Sequence, residues 1–205
     1  MEFLAVLFLL FPSVILHEYA HGWVACRLGD PTAKAAGRLT FNPLKHIDPV
    51  GTIILPVILL VLRHFEPLTP ILGWAKPVPV NFMNLRSPRR DMMLVAAAGP
   101  AVNIALALFF SSLFKMHISI FVNEVLELAI AINLVLALFN LIPIPPLDGS
   151  RLVAGLLPNR LAYLYSRLEG YGIFIVMVLL YLGVLKRFIF PLMDQLLYYL
   201  TGIPQ

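Results

Sequence analysis

Apolar residues fall along this chain in long runs, separated by short segments rich in proline, glycine and basic residues. Runs near 3–26, 50–62, 92–114, 118–142 and 171–185 are candidates for crossing a bilayer, since about 20 apolar residues span one as a helix. The run at 50–62 is too short for a comfortable crossing. The polar segments are 27–49, 63–91 and 143–169. Within them GRLTF (37–41) and KPVPV (76–80) alternate polar with apolar residues as short strands do, and the prolines at 77 and 79 confine the second to an edge. Extended loops without pairing fit the same residues equally well. The pattern predicts an all-α polytopic membrane protein with about four full transmembrane helices, a short re-entrant or hairpin segment and small β-strands at the membrane face. No internal repeat is visible, so residues 1–205 are expected to form a single membrane-embedded domain, with a core over 1–157 and a C-terminal span and tail over 158–205. The last stretch, FIFPLMDQLLYYLTGIPQ, is expected to lie as an interfacial helix or a frayed end.

Composition sharpens this picture. Of 205 residues, 60% are hydrophobic and only 13% charged, which places the chain far from soluble globular proteins. The first run starts with Glu2 where a secretory signal has a basic region, and it continues through His17 and His21 without a cleavage site, so it is expected to remain as a helix. Cys26 is the sole cysteine, which excludes an internal disulfide and a cysteine metal cluster within one chain. The net charge of +4 is what basic membrane-flanking loops produce, and nucleic acid is not indicated as a partner.

The costly feature is LHEYAH at 16–21, which sets two histidines and a glutamate in an otherwise apolar helix. On a helix, positions four apart share a face, so His17 and His21 can aim ring nitrogens at one metal ion. Glu18, offset by one residue, is placed to take a proton from water without being a ligand. A hydrolytic zinc site needs a third protein ligand and an open fourth position. His46, His64, His117, Glu124, Glu127 and Asp148 are all available. Asp148 leads them, because it follows a long apolar run in a stretch that Pro143, Pro145 and Pro146 prevent from continuing as helix. One ligating carboxylate and the nearby Glu18 would together offset the dication, and a nearly neutral cluster can be buried.

HEYAH in the first run, together with FNLIPIPPLDG near the end of a later one, resembles the site-2 proteases, the zinc intramembrane metalloproteases. GRLTFNPLKHIDPVGTI, GWAKPVPV and AAAGPAVN extend the resemblance over most of residues 12–155. It implies one Zn2+ ion per chain held by His17, His21 and Asp148, with Glu18 as catalytic acid and base. It also implies that Asn140 contacts the substrate backbone near the scissile bond. The implied activity is peptide hydrolysis within or near transmembrane segments, with a transmembrane protein as substrate and the lipid bilayer as surroundings. The form resembled is a minimal one, with no room among these residues for a PDZ or CBS domain. Gly99, Pro100 and Asn103 resemble a family motif too, but small residues and an asparagine are also what close helix packing in lipid requires, and packing is the role assigned to them here. His46 is expected as an interfacial loop histidine. The alternative from another functional class is a metal or proton transporter using the same cluster as a relay, which the absence of a repeat disfavours.

Topology adds a condition. His21 lies toward the C-terminal end of its helix and Asp148 follows the end of the 118–142 helix, so the chain between them must cross an even number of times. The 50–62 segment is then re-entrant, or returns with part of 63–80. Segments 27–49, 63–91 and 143–169 then share one side and gather Arg27, Lys34, Arg38, Lys45, Lys76, Arg86, Arg89, Arg90, Arg151, Arg160 and Arg167. Basic loops favour the cytoplasm, so the active site is expected to open toward it, in a multi-pass protein of the cell membrane.

Overall fold

The computed structural model describes residues 2–65 and 73–203. Among these residues nine α-helices follow one another: α1 (Glu2–Arg27), α2 (Thr32–Ala35), α3 (Leu55–Phe65), α4 (Pro88–Phe114), α5 (Ile120–Asn140), α6 (Asp148–Leu156), α7 (Asn159–Ser166), α8 (Glu169–Tyr181) and α9 (Val184–Thr201). α4 packs against both α1 and α5, which also touch each other. It begins where Pro88 occupies the first turn, a position that needs no N–H donor, and the Asp91 carboxylate accepts from the Ser87 N–H at 2.8 Å. α5 begins at Ser119, whose hydroxyl caps the Val122 N–H. α1 ends in a turn through Gly29, which has φ +114 and so takes a conformation that side chains resist. Between α4 and α5 the core is Ala107, Phe114, Leu126, Ile130 and Leu134, joined by Leu197 of α9.

The protein is an integral, multi-pass membrane protein, and the surface of the fold shows why. Phe65, Phe174 and Tyr181 stand at least two-thirds exposed on α3 and α8, as do few large apolar side chains facing water. Among the described residues, α4 (27 residues) and α5 (21 residues) are long and apolar enough to cross a membrane, and α7 with α8, bent by 65° at their junction, make a third if counted as one span.

Several expectations change here. No strand forms among the described residues. Residues 37–41 begin at a left-handed turn at Gly37, φ +62, which breaks the alternation before a ladder can start. Residues 76–80 are extended but unpaired as a strand: Pro77 and Pro79 have no N–H, the Val78 N–H goes to the Glu18 carboxylate at 2.8 Å, and the Lys76 N–H goes to the His46 carbonyl at 2.9 Å. The expected span at 171–185 is instead α8, 13 residues and about 20 Å long, which is short for a crossing by itself. α1 is helical for 26 residues, but His17, Glu18 and His21 make its second half polar. Residues 188–201 of the tail are helical and not frayed: α9 packs Met193, Leu196, Leu197 and Leu200 against α4 and α5, and the Ser111 hydroxyl donates to the Leu200 carbonyl at 2.7 Å.

The described residues on either side of 66–72 meet near Gly51 and Trp74. A π-type turn over Pro49–Ile54, capped by the Asp48 carboxylate, leads into α3. The Trp74 N–H then donates to the Gly51 carbonyl at 3.1 Å, and the Thr52 hydroxyl to the Trp74 carbonyl at 2.8 Å. The chain therefore leaves and returns at one place. Residues 66–72 lie outside the described residues.

Candidate metal centre

Three elements bring His17, His21 and Asp148 to one point. One turn of α1 carries the two histidines on a shared face. After α5 the prolines at 143, 145 and 146 end the helix, and the irregular stretch 141–147 turns the chain so that α6 opens with Asp148 beside them. The Nε2 atoms of His17 and His21 lie 3.0 Å apart, and Oδ2 of Asp148 is 3.1 Å from the first and 3.2 Å from the second. Both histidines are buried and Asp148 is partly so.

The hydrogen bonds behind the rings decide what this triangle can hold. Nδ1 of His17 lies 2.5 Å from Oδ1 of Asn103, and Nδ1 of His21 lies 2.7 Å from the Val95 carbonyl. Each Nδ1–H donates outward, so each Nε2 turns a lone pair inward. Two lone pairs and a carboxylate oxygen at about 3 Å repel unless a cation, a proton or a metal ion, lies among them. Tetrahedral zinc with nitrogen and oxygen ligands sets its donors about 3.3 Å apart, within a few tenths of what is observed. Space for the ion is provided as well. A Cβ added to Gly99 would stand 2.3 Å from Nε2 of His21 and 2.5 Å from Nε2 of His17, so position 99 keeps clear the volume against both nitrogens. The residues present fit a zinc ion.

Glu18 is adjacent and differently employed. Its Oε2 accepts the Val78 N–H, and the segment bearing Val78 is held down along its length. Arg38, buried, donates to the Lys76 carbonyl at 2.7 Å and to the Pro77 carbonyl at 3.3 Å. Beyond Val78, Asp30 accepts from the Asn81 N–H at 2.7 Å, from the Asn84 amide at 2.9 Å, and from Thr32 through both its N–H and its hydroxyl. Burial opposes ionisation of Asp30, yet the hydrogen bonds from Thr32, Asn84 and Asn81 outweigh it and hold the carboxyl below its ordinary value of 3.8. Gly22 lets this segment lie close on α1, since a Cβ there would stand 2.7 Å from Val78 Cγ1.

Of the other ligands weighed from sequence, none joins the cluster among the described residues. His64 and His117 are exposed, and His46 is a buried loop histidine, with Nε2 2.9 Å from the Thr40 carbonyl and its own carbonyl holding Lys76. Asn140 donates from Nδ2 to the Leu136 carbonyl of its own helix at 2.9 Å, and lies eight residues before Asp148, outside the triangle. Gly99 and Asn103 do more than the packing assigned to them, because they touch the histidines directly. The signal was present in AAAGPAVN as a glycine and an asparagine four apart, hence on one helix face. Nothing in their own segment said which neighbour that face meets.

Comparison with known proteins places this geometry. The model of peptidase family M50 matches residues 115–183, the stretch that contains Asp148 but not the histidine pair. The chain is 40% identical over 177 residues to YwhC of Bacillus subtilis, covering 82% of this chain and 75% of the relative. It is 30% identical over 185 residues to Rip2 of Mycolicibacterium smegmatis, covering 88% and 68%. Both of those are named as candidate zinc metalloproteases. It is also 29% identical over 203 residues to the zinc metalloprotease MJ0392 of Methanocaldococcus jannaschii, covering 96% of this chain and 48% of the relative. No solved structure matches the chain. With two relatives matched over most of their length and a histidine, histidine, aspartate triangle shaped for zinc, the chain belongs to peptidase family M50, the site-2 protease family of zinc metalloproteases.

Proposed function

We propose that this zinc metalloprotease is an intramembrane endopeptidase. It hydrolyses peptide bonds within or near transmembrane segments of membrane proteins, with one zinc ion held by His17, His21 and Asp148. The observation that carries this reading is the inward-facing acceptor triangle with Glu18 beside it, set among helices that include membrane spans. When bound, zinc lowers the pKa of water toward about 7 and polarises a peptide carbonyl. Glu18 takes the proton that the attacking water gives up and returns it to the departing amine. The Val78 N–H orients one oxygen of Glu18 at 2.8 Å, which leaves the other for that proton.

A transmembrane helix hides its carbonyls in its own hydrogen bonds, so a turn must open before it is cut. The segment 76–80, held by Arg38 and Glu18 and followed by Asn81 bound to Asp30, lies beside Glu18, where the opened substrate can lie along it. Asn140, at the end of α5 where the chain turns toward Asp148, contacts that backbone near the scissile bond. The protein spans the membrane with about four helices, with α3 in a short segment that does not cross on its own, and the site opens toward the cytoplasm, the side that gathers the basic segments. Glu18→Gln tests the assignment of roles. Cleavage of a model single-span substrate in detergent or proteoliposomes should fall by at least about 100-fold, while zinc content per chain is unchanged. Cleavage that survives would remove Glu18, and with it this mechanism.

A further inference from the structure

His21 has its proton position set directly by a backbone carbonyl, whereas His17 relies on an amide side chain that could in principle face either way. We infer that Asn133 on α5 dictates, through Asn103, which nitrogen of His17 faces the metal, and so acts as a positioning residue without touching the site. This rests on the reading of His17 as a zinc ligand.

A chain of groups sealed from water connects Asn133 to His17: Asn103 and Asn133 are fully buried, Ser13 and His17 nearly so. It starts at the end that cannot turn round. Nδ2 of Asn133 faces the Ala129 carbonyl at 2.9 Å and Oγ of Ser13 at 3.0 Å. The carbonyl can only accept, and the Ser13 hydroxyl already donates to the Leu9 carbonyl at 2.9 Å. Both neighbours demand a donor, so Asn133 must present its NH2 to them and its oxygen to Asn103. Asn103 must then present its own NH2 to that oxygen, at 2.9 Å. A second acceptor for the same NH2, the Ser13 carbonyl, lies at 3.5 Å, the outer limit of a hydrogen bond. Oδ1 of Asn103 is left for His17, and an oxygen 2.5 Å from Nδ1 requires the proton there. The lone pair is thereby placed on Nε2, toward His21 and Asp148. With the Asn133 amide removed, Asn103 keeps only the long contact to hold its orientation. Turned over, it would offer a donor to His17 Nδ1 and favour the proton on Nε2, where the metal belongs.

The test is zinc affinity of the full chain in detergent, by competition with a chelator. Asn133→Leu, close in volume and apolar, should weaken zinc binding by about 10–100-fold. Adding Asn103→Asp to the same chain should bring it back to within about threefold of the wild type, because a carboxylate accepts from Nδ1–H whichever way it turns and needs no partner at 133. A merely structural role for Asn133 predicts no such rescue, and either an unchanged affinity in Asn133→Leu or a failure of the second substitution to restore it overturns the inference. Wild-type protein gives a reading that depends on no variant: nitrogen-15 histidine spectra of the zinc-loaded form should show the metal on Nε2 of His17 and the proton on Nδ1, and the reverse overturns the inference. Zinc affinity indifferent to His17→Ala would take down the site reading and this inference together, whereas affinity that needs His17 but ignores Asn133→Leu defeats the inference alone.

Discussion

At residue scale, the centre is defined as much by what is missing as by what is present. Gly99 contributes nothing but absence: a single methyl there would occupy the space within 2.5 Å of both Nε2 atoms. Backbone of a helix cannot readily withdraw to make room, since α4 is packed against both α1 and α5. Gly99→Ala is therefore expected to lower zinc affinity by more than about 100-fold while α-helical content by circular dichroism stays as in the wild type. Undiminished affinity would mean that the ion sits on the far side of the triangle from α4. Asn103 and the Val95 carbonyl act from behind the rings, where loss of a partner leaves the ligand in place but free to hold its proton on the wrong nitrogen.

At the scale of elements, α6 is held in place mechanically from both ends. It is nine residues long, carries Asp148 at its first position, and a helix so short has little stability of its own. Its far end is gripped from α4: Arg89 donates through Nε to the Gly155 carbonyl at 2.7 Å and through Nη2 to the Leu157 carbonyl, satisfying acceptors that a helix end leaves open. On the near side, Gly149 packs so closely on the Leu141 and Ile142 carbonyls that no larger residue would fit. Arg89→Ala should loosen α6 as a unit, seen as faster amide hydrogen exchange across 150–157, and weaken zinc by up to about tenfold. Lysine should not substitute, because the grip uses several nitrogens of one planar fork. Protection of α6 unchanged in the variant would show that packing on α4 alone places Asp148.

At the scale of the whole molecule, the question is sidedness. The hydrogen bonds between Gly51, Thr52 and Trp74 bring these residues together, and in the proposed topology α4 and α5, each long and apolar enough to span, make one crossing each way. Single cysteines at Gly37 and Arg160, in a background with Cys26 replaced, should therefore be labelled by an impermeant thiol reagent from the cytoplasmic face, and one at His117, between α4 and α5, from the opposite face. Label reaching positions 37 and 117 from the same side would break the even count and with it the convergence of α1 and α6 on one ion.

Much of this could be read from local pattern, because local pattern is what a helix in lipid obeys. The spacing of HEYAH places two rings on one face wherever the helix goes, and the prolines before Asp148 end a helix in any context. Long apolar runs become α4 and α5 for the same reason, every backbone group needing a partner within its own segment. Tertiary structure alone decided what those faces meet. KPVPV carries a strand-like alternation, but its one central N–H is taken by Glu18 from a helix 60 residues earlier, and no strand forms. The pattern of α9 gives no sign that Leu197 joins the core between α4 and α5. Asn103 and Gly99 read as packing residues until His17 and His21 stand beside them. Periodicity is a property of neighbours along the chain, whereas a hydrogen bond or a vacant volume belongs to partners that folding alone brings together.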